Sequence, residues 1–209
     1  MSRRARTDHP IHEILAQRWS PCGFAETPVL PEHLKSLFRA ARWAASSYNE
    51  QPWRHIVATR DDPEVFDQLL SYPVEANQAW ARFAPVLAVG IAKRTFARNG
   101  APNRVALHDL GAASASLTFE AGARGLMVHQ MGGIHPEKAR AAYRIPDDFE
   151  VATALAIGYP GTPSGLPAEC RQRDSAPRQR RPLQELVFAR SWGQACDRIA
   201  GSHSDGHNR

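Results

Sequence analysis

Ser46-Ser47-Tyr48-Asn49-Glu50-Gln51-Pro52-Trp53 is the most informative stretch of this chain. Serine hydroxyls and the Asn49 and Gln51 amides put donors and acceptors into one tight segment. Such a set suits a heterocycle edged by alternating carbonyls and nitrogens. The competing reading is an ordinary helix-to-strand connection with Trp53 packing in the core, because connecting loops are polar by default. The flanks place the stretch in the fold. Before it, Pro31 suits a first helical turn, and Leu34, Leu37, Phe38 and Ala41 share one face at helical spacing. After it, residues 53–59 read as a strand centred on Ile56 and Val57.

Working outward, Ile11, Ile14 and Leu15 predict a short first helix over residues 11–18, broken by Pro21 and Gly23. Asp62-Pro63 reads as a cap and first turn for a helix burying Val65, Phe66, Leu69 and Leu70. Residues 77–83 read as helical, and residues 86–92 as a short apolar strand covered on both faces. Residues 93–103 form a polar loop, a candidate for mobility. Residues 104–124 read as the longest helix, rich in small residues that would let another helix approach, and stopped at Gly125. Residues 126–130 are a strand candidate, Gly132-Gly133 marks a tight turn, His135-Pro136 opens a helix toward Tyr143, and residues 151–157 are another apolar strand.

This loose alternation predicts an α+β fold, a central mixed β-sheet surrounded by helices. Residues 158–182 are rich in Pro and Arg and lack periodicity. So long an irregular segment is odd in a compact monomer, and it is expected to reach a partner subunit. The domain plan is a flexible N-terminus over residues 1–10, one domain over residues 11–188, and a flexible tail over residues 189–209.

Bulk properties exclude more than they name. The 209 residues are 43% hydrophobic and 22% charged, which argues against wholesale disorder. The net charge of +5 gathers at the ends, in Arg3, Arg4 and Arg6 and again over residues 171–181. Basic and aromatic residues do not interleave as in a single-strand groove, so nucleic acid is not an expected partner. Cys22, Cys170 and Cys196 have no zinc or redox spacing and fit a reducing compartment. The basic N-terminus lacks the apolar core of a signal peptide. No apolar run nears the roughly 20 residues that span a bilayer. The expectation is a cytoplasmic protein without a membrane partner.

Several catalytic signatures are missing: Gly-x-Gly-x-x-Gly, the P-loop, Gly-x-Ser-x-Gly and His-Glu-x-x-His. No metal site is expected. Arg18 and Ser20, at the helix break, could offer a guanidinium fork and a hydroxyl to a phosphate, or simply serve a solvent-facing turn. Gly132-Gly133 lets backbone approach a flat ligand, or makes a plain turn. Arg171, Arg173, Arg178, Arg180 and Arg181 could clamp a phosphate, although a charge run is usually solvated.

Taken together and in order, these pieces resemble the nitroreductase family of FMN-dependent oxidoreductases over residues 11–188. The Ser46 to Trp53 stretch resembles the family's Ser-Ser-x-Asn-x-Gln-Pro-Trp motif. Arg18-Trp19-Ser20 resembles its opening Arg-x-Ser segment, and Arg178-Gln179-Arg180 its C-terminal basic pair. The resemblance implies a homodimer with tightly bound FMN at each subunit interface. Arg18, Ser20, Arg178 and Arg180 would hold the phosphate, with Trp19 beside them, and Cys22 would stand where the family's cation faces the flavin N1 and O2 region. Asn77 would bond the pyrimidine edge, Ser46, Ser47 and Asn49 would arrive from the other subunit, and Met131, Gly132 and Gly133 would lie along the ring. NAD(P)H would give hydride to flavin N5, and a small acceptor such as a nitroaromatic or quinone would take its place. No catalytic acid or base is assigned. Other outcomes within the superfamily, dehalogenation or dehydrogenation, stay open, as does a non-catalytic FMN-binding role. Cys22, Trp80 and Ala45 depart from the family's usual cation, Lys and Pro. Losing a cation near flavin N1 should lower the reduction potential.

Overall fold

The computed structural model describes residues 3–200. It divides into two compact units, Met1–Ala176 and Pro177–Arg209. In the first unit the order is α1 (Glu13–Gln17), α2 (Pro31–Arg42), β1 (Trp53–Thr59), α3 (Pro63–Leu70), α4 (Glu75–Ala81), β2 (Val86–Lys93), α5 (Ala106–Ala123), β3 (Met127–Met131), α6 (Pro136–Tyr143), β4 (Phe149–Gly158) and α7 (Ala168–Ser175). Local chemistry fixes several starts. The Asp62 carboxylate accepts from the Val65 N–H at 3.2 Å, and Pro residues open α2, α3 and α6.

The sheet order is β1-β2-β4-β3. Every pairing in it is antiparallel, which corrects the expected mixed sheet. The physical reason is an insertion. β2 and β3 run the same way, as strands joined through a helix do, but β4 slots between them and no two parallel strands touch.

Side chains alternate across the sheet and build two cores. On one face Leu87, Val89, Met131, Ala154 and Ala156 pack with Phe66, Leu69, Trp80 and Ala139 from α3, α4 and α6. On the other face Val86, Ala88, Val128, Leu155 and Ile157 pack with Leu37 and Ala41 of α2 and with Leu110, Ala113, Leu117 and Ala121 of α5. The small residues of α5 admit α2 as its main helical neighbour. Residues 93–103, expected as a polar loop, close on themselves: Phe96 N–H donates to Ala101 O at 2.8 Å and Asn103 N–H to Arg94 O at 2.7 Å.

The helix α7 lies inside the stretch expected to be irregular. At the N-terminus, Arg4 pairs with Glu13, and Ala5 N–H donates to Ala16 O at 2.8 Å. The second unit holds a turn at Leu183–Glu185 and a short helix α8 (Asp197–Ala200). Between them Phe188 bridges to Ala195 and its ring lies 5.1 Å from that of Trp192. Of the expected flexible tail, residues 201–209 lie outside the described residues, as do residues 1 and 2 of the N-terminus. Among the described residues, no helix is long and apolar enough to cross a membrane.

Candidate functional site

The β3 edge gathers one group of the expected residues. Past α1, Arg18 leaves helical geometry, and its guanidinium donates to the Ser20 hydroxyl at 3.3 Å. Trp19 is half-buried, with the Arg3 guanidinium 4.6 Å above its ring. The loop is then pinned from two sides. The Pro21 carbonyl lies 2.7 Å from His129 Nδ1, and the Arg173 guanidinium lies 2.9 Å from His129 Nε2. A carbonyl can only accept and a guanidinium can only donate, so Nδ1 carries the proton and Nε2 accepts. Burial pushes the His129 imidazole down to about 4, and the Arg173 cation works in the same direction. Trp80 of α4 stacks on it, ring centroids 4.2 Å apart.

Asp174 of α7 holds the same loop from its other side. Its carboxylate accepts from the Cys22 N–H at 3.0 Å and from the Gly23 N–H at 2.9 Å. Gly23 has no alternative, since a Cβ there would sit 2.2 Å from the Gly161 carbonyl. The Cys22 side chain is fully buried. Burial first, then Asp174 and Cys170, push its thiol up to about 12, against the pull of Arg173. Cys22 is therefore a neutral thiol in the core.

Along α4, Asn77 lies one turn before Trp80, and its amide donates to the Gly133 carbonyl at 3.1 Å. Val74 N–H reaches the same carbonyl at 3.0 Å. A Cβ on Gly133 would meet the Val74 and Asn77 side chains at 3.0 and 3.1 Å, a tight fit against the start of α4. Gly132 differs. A Cβ there would meet nothing within 4 Å, so its backbone faces open space. Met131 is buried beneath it.

The β1 edge carries the other group. Tyr48, Asn49 and Gln51 have φ of 53°, 55° and 50°, in the left-handed region that favours glycine. Their strain is held by specific bonds. The buried Asp109 of α5 accepts from Ser47 N–H at 3.1 Å, Ser46 Oγ accepts from Gln51 N–H at 3.0 Å, and Glu50 accepts from Ala97 N–H at 2.8 Å. Strain of this kind gathers at sites of function. Among the described residues, no cluster of three His, Cys, Asp or Glu side chains could hold a metal.

The structure thus joins Arg18, Trp19, Ser20 and Cys22 through His129 to the strand that leads to Met131, Gly132 and Gly133, with Asn77 adjoining. Ser46, Ser47 and Asn49 stand at the opposite edge of the sheet, with β2 and β4 between. Three strand spacings amount to about 14 Å. Arg178 and Arg180 belong to the second unit, where Arg180 donates to the Gln179 carbonyl at 2.7 Å. Trp80 is buried among apolar neighbours. Arg54 donates to the Gln51 and Trp53 carbonyls at 3.0 and 2.7 Å.

Sequence reasoning missed His129, Asp174 and Asp109, and offered Arg173 to a phosphate where the structure sets it against His129. A lone histidine in the buried run of β3 was a usable signal, as was an acid in register with Leu110, Ala113 and Leu117 of α5. Asp174 gave none.

The α+β fold thus sets the Arg18 and Ser20 donors at one edge of an antiparallel sheet and a strained polar loop at the other, so the candidate residues fall into two groups. The family model of the nitroreductase family matches residues 15–159, and this chain belongs to that family. It is similar to a crystal structure of an oxidoreductase containing FMN, 33% identical over 92% of this chain and 97% of the other, with TM-score 0.84. It is also similar to a protein from Desulfovibrio desulfuricans crystallised with FMN, 25% identical over 89% and 99% of the two chains, with TM-score 0.66. Among curated proteins it matches an uncharacterised 15.4 kDa protein of Mycolicibacterium smegmatis, 39% identical over 43% of this chain and 60% of the relative. It matches the nitrobenzene nitroreductase of Ectopseudomonas oleovorans at 36% identity over 33% of this chain and 29% of that enzyme. The matched part is less than two thirds of either curated relative.

Proposed function

We propose that this chain is an FMN-dependent oxidoreductase that works as a homodimer in a reducing compartment, taking hydride from NAD(P)H and passing it to a small nitroaromatic or quinone acceptor. The observation that carries the reading is the split site. Arg18, Ser20, Asn77 and Gly132 face one edge of the sheet, and the strained 46–51 loop faces the other. A second copy that presents its β1 edge to the first copy's β3 edge would bring the two groups together.

The residues fit the cofactor. Arg18 and Ser20 offer charge-assisted and hydroxyl donors to its phosphate. The Asn77 amide, anchored on Gly133, presents its remaining valences to the pyrimidine edge. Gly132 leaves space for a flat ring to approach backbone. Ser46, Ser47 and Asn49 supply polar contacts from the partner subunit. The bound flavin supplies the two-electron chemistry, while the protein orients it and excludes water. Neutral Cys22 and buried Trp80 bring no positive charge to the ring, which favours a low reduction potential.

A visible spectrum of the purified protein, refilled with FMN and then treated with NADH or NADPH, tests the reading. A bound-flavin spectrum that bleaches supports it. No flavin uptake from excess FMN overturns it.

A further inference from the structure

Beside the strained loop stands a group that this reading does not use. Tyr48 is 74% exposed, and the Arg98 guanidinium lies 4.1 Å over its ring and 5.5 Å from the Phe96 ring. Tyr48 and Phe96 meet edge to face at 5.7 Å. Arg98 therefore sits on an aromatic platform and is itself exposed. No carboxylate pairs with it among the described residues. Arg94, its neighbour on the loop, is paired with Glu150, and Glu50 is occupied by the Ala97 N–H. From Lys93 to Arg104 the sequence carries Lys93, Arg94, Arg98 and Arg104 and no acid.

We propose that Arg98 on its Tyr48–Phe96 platform recognises the 2′-phosphate of NADPH and sets a preference for it over NADH. The proposal rests on the flavin reading above, and deepens it by naming the donor. Tyr48 lies between Ser47 and Asn49, the residues assigned to the flavin, and its ring is exposed beside them. A dinucleotide with its nicotinamide on the flavin would carry its adenosine end away from the ring, toward exposed groups such as Tyr48 and Arg98. There the free guanidinium face can stack on adenine, and the N–H edge can fork onto a phosphate monoester. An arginine near the ribose is the usual way to accept a 2′-phosphate.

The test uses FMN-loaded protein. Calorimetric titration with 2′,5′-ADP and with 5′-AMP should show the former binding about 10-fold tighter or better, a gap that Arg98→Gln removes. In the reductive half-reaction, the NADPH-to-NADH ratio of kcat/KM should fall about 10-fold in Arg98→Gln, with partial recovery in Arg98→Lys, which keeps the charge but loses the planar fork. Equal binding of the two nucleotides by the unaltered protein overturns the proposal. So does a ratio that stays fixed in Arg98→Gln while the KM for a carboxylated nitroaromatic rises, which would assign Arg98 to the acceptor. Both leave the flavin reading intact. Failure to take up FMN removes that reading and this proposal with it.

Discussion

At the β3 edge, site residues are held by dense packing: His129 is bonded at both nitrogens, stacked on a buried Trp80 and tied through Pro21 to the loop that bears Arg18 and Ser20. At the β1 edge, Ser46, Ser47 and Asn49 sit in a half-exposed loop with three residues at positive φ, held by one buried carboxylate and a few polar bonds. The first arrangement draws its rigidity from the core, and its loss should be felt as global stability. The second stores strain locally, and its loss should loosen a loop while the fold persists. Under the proposed homodimer this asymmetry would have a use: the preformed half would dock cofactor, and the strained half would close on it from a second copy.

The largest expected effect falls on the packed side. Trp80 is 2% exposed, and Trp80→Ala should cost about 3–5 kcal/mol by urea unfolding. A loss below about 1 kcal/mol would erase the contrast, since it would mean that the core does not depend on this stack.

Next comes pH. The folded His129 imidazole lies at about 4, well below the ordinary 6.5, so the unfolded chain takes up the proton first. Its contribution is intact above pH 6.5 and is lost as pH falls toward 4. Between pH 7.5 and 4.5 the unaltered protein should lose about 2–3 kcal/mol more than His129→Gln. His55, which burial also pushes to about 4, is present in both proteins and cancels. Parallel pH profiles would show that His129 is protonated in place.

On the strained side, Asp109→Ala leaves the Ser47 N–H without its partner and should cost about 1–3 kcal/mol. Asp109→Asn keeps an acceptor and should recover most of it. Hydrogen exchange separates the two edges further. Asp109→Ala should accelerate exchange over residues 46–51 and spare β3.

The unequal legibility of the two edges follows from the same physics. The 46–51 loop was readable because it concentrates its polar chemistry in consecutive residues, and β2 because an apolar run of that length has few alternatives. The packed half is written across the chain. Asp174 reaches Cys22 and Gly23, Arg173 reaches His129, and none of these pairings leaves a period in the local sequence. The helix α7 escaped notice for that reason, since it buries no residue fully and has no apolar stripe. Strand direction was missed because pairing depends on where β4 inserts, a tertiary choice. Arg18, Ser20, Asn77 and Gly132 were legible as types, but the His129 contact that ties the Pro21 loop to β3 was not.

The smallest effect isolates the stored strain itself. Tyr48→Ala and Tyr48→Gly both remove the ring, its contact with Phe96 and its stack under Arg98, so the difference between them is a backbone quantity. At φ 53° alanine keeps the Cβ clash that glycine lacks. In the unfolded chain glycine is the looser residue and opposes the gain. The native clash is the larger of the two, and Tyr48→Gly should be more stable than Tyr48→Ala by about 1 kcal/mol. Equal stabilities, measured by urea unfolding of both variants, would mean that the loop relaxes out of the left-handed region once the ring is gone. The strain would then be a consequence of the Tyr48 stack, and the β1 edge would owe its shape to side-chain packing just as the β3 edge does.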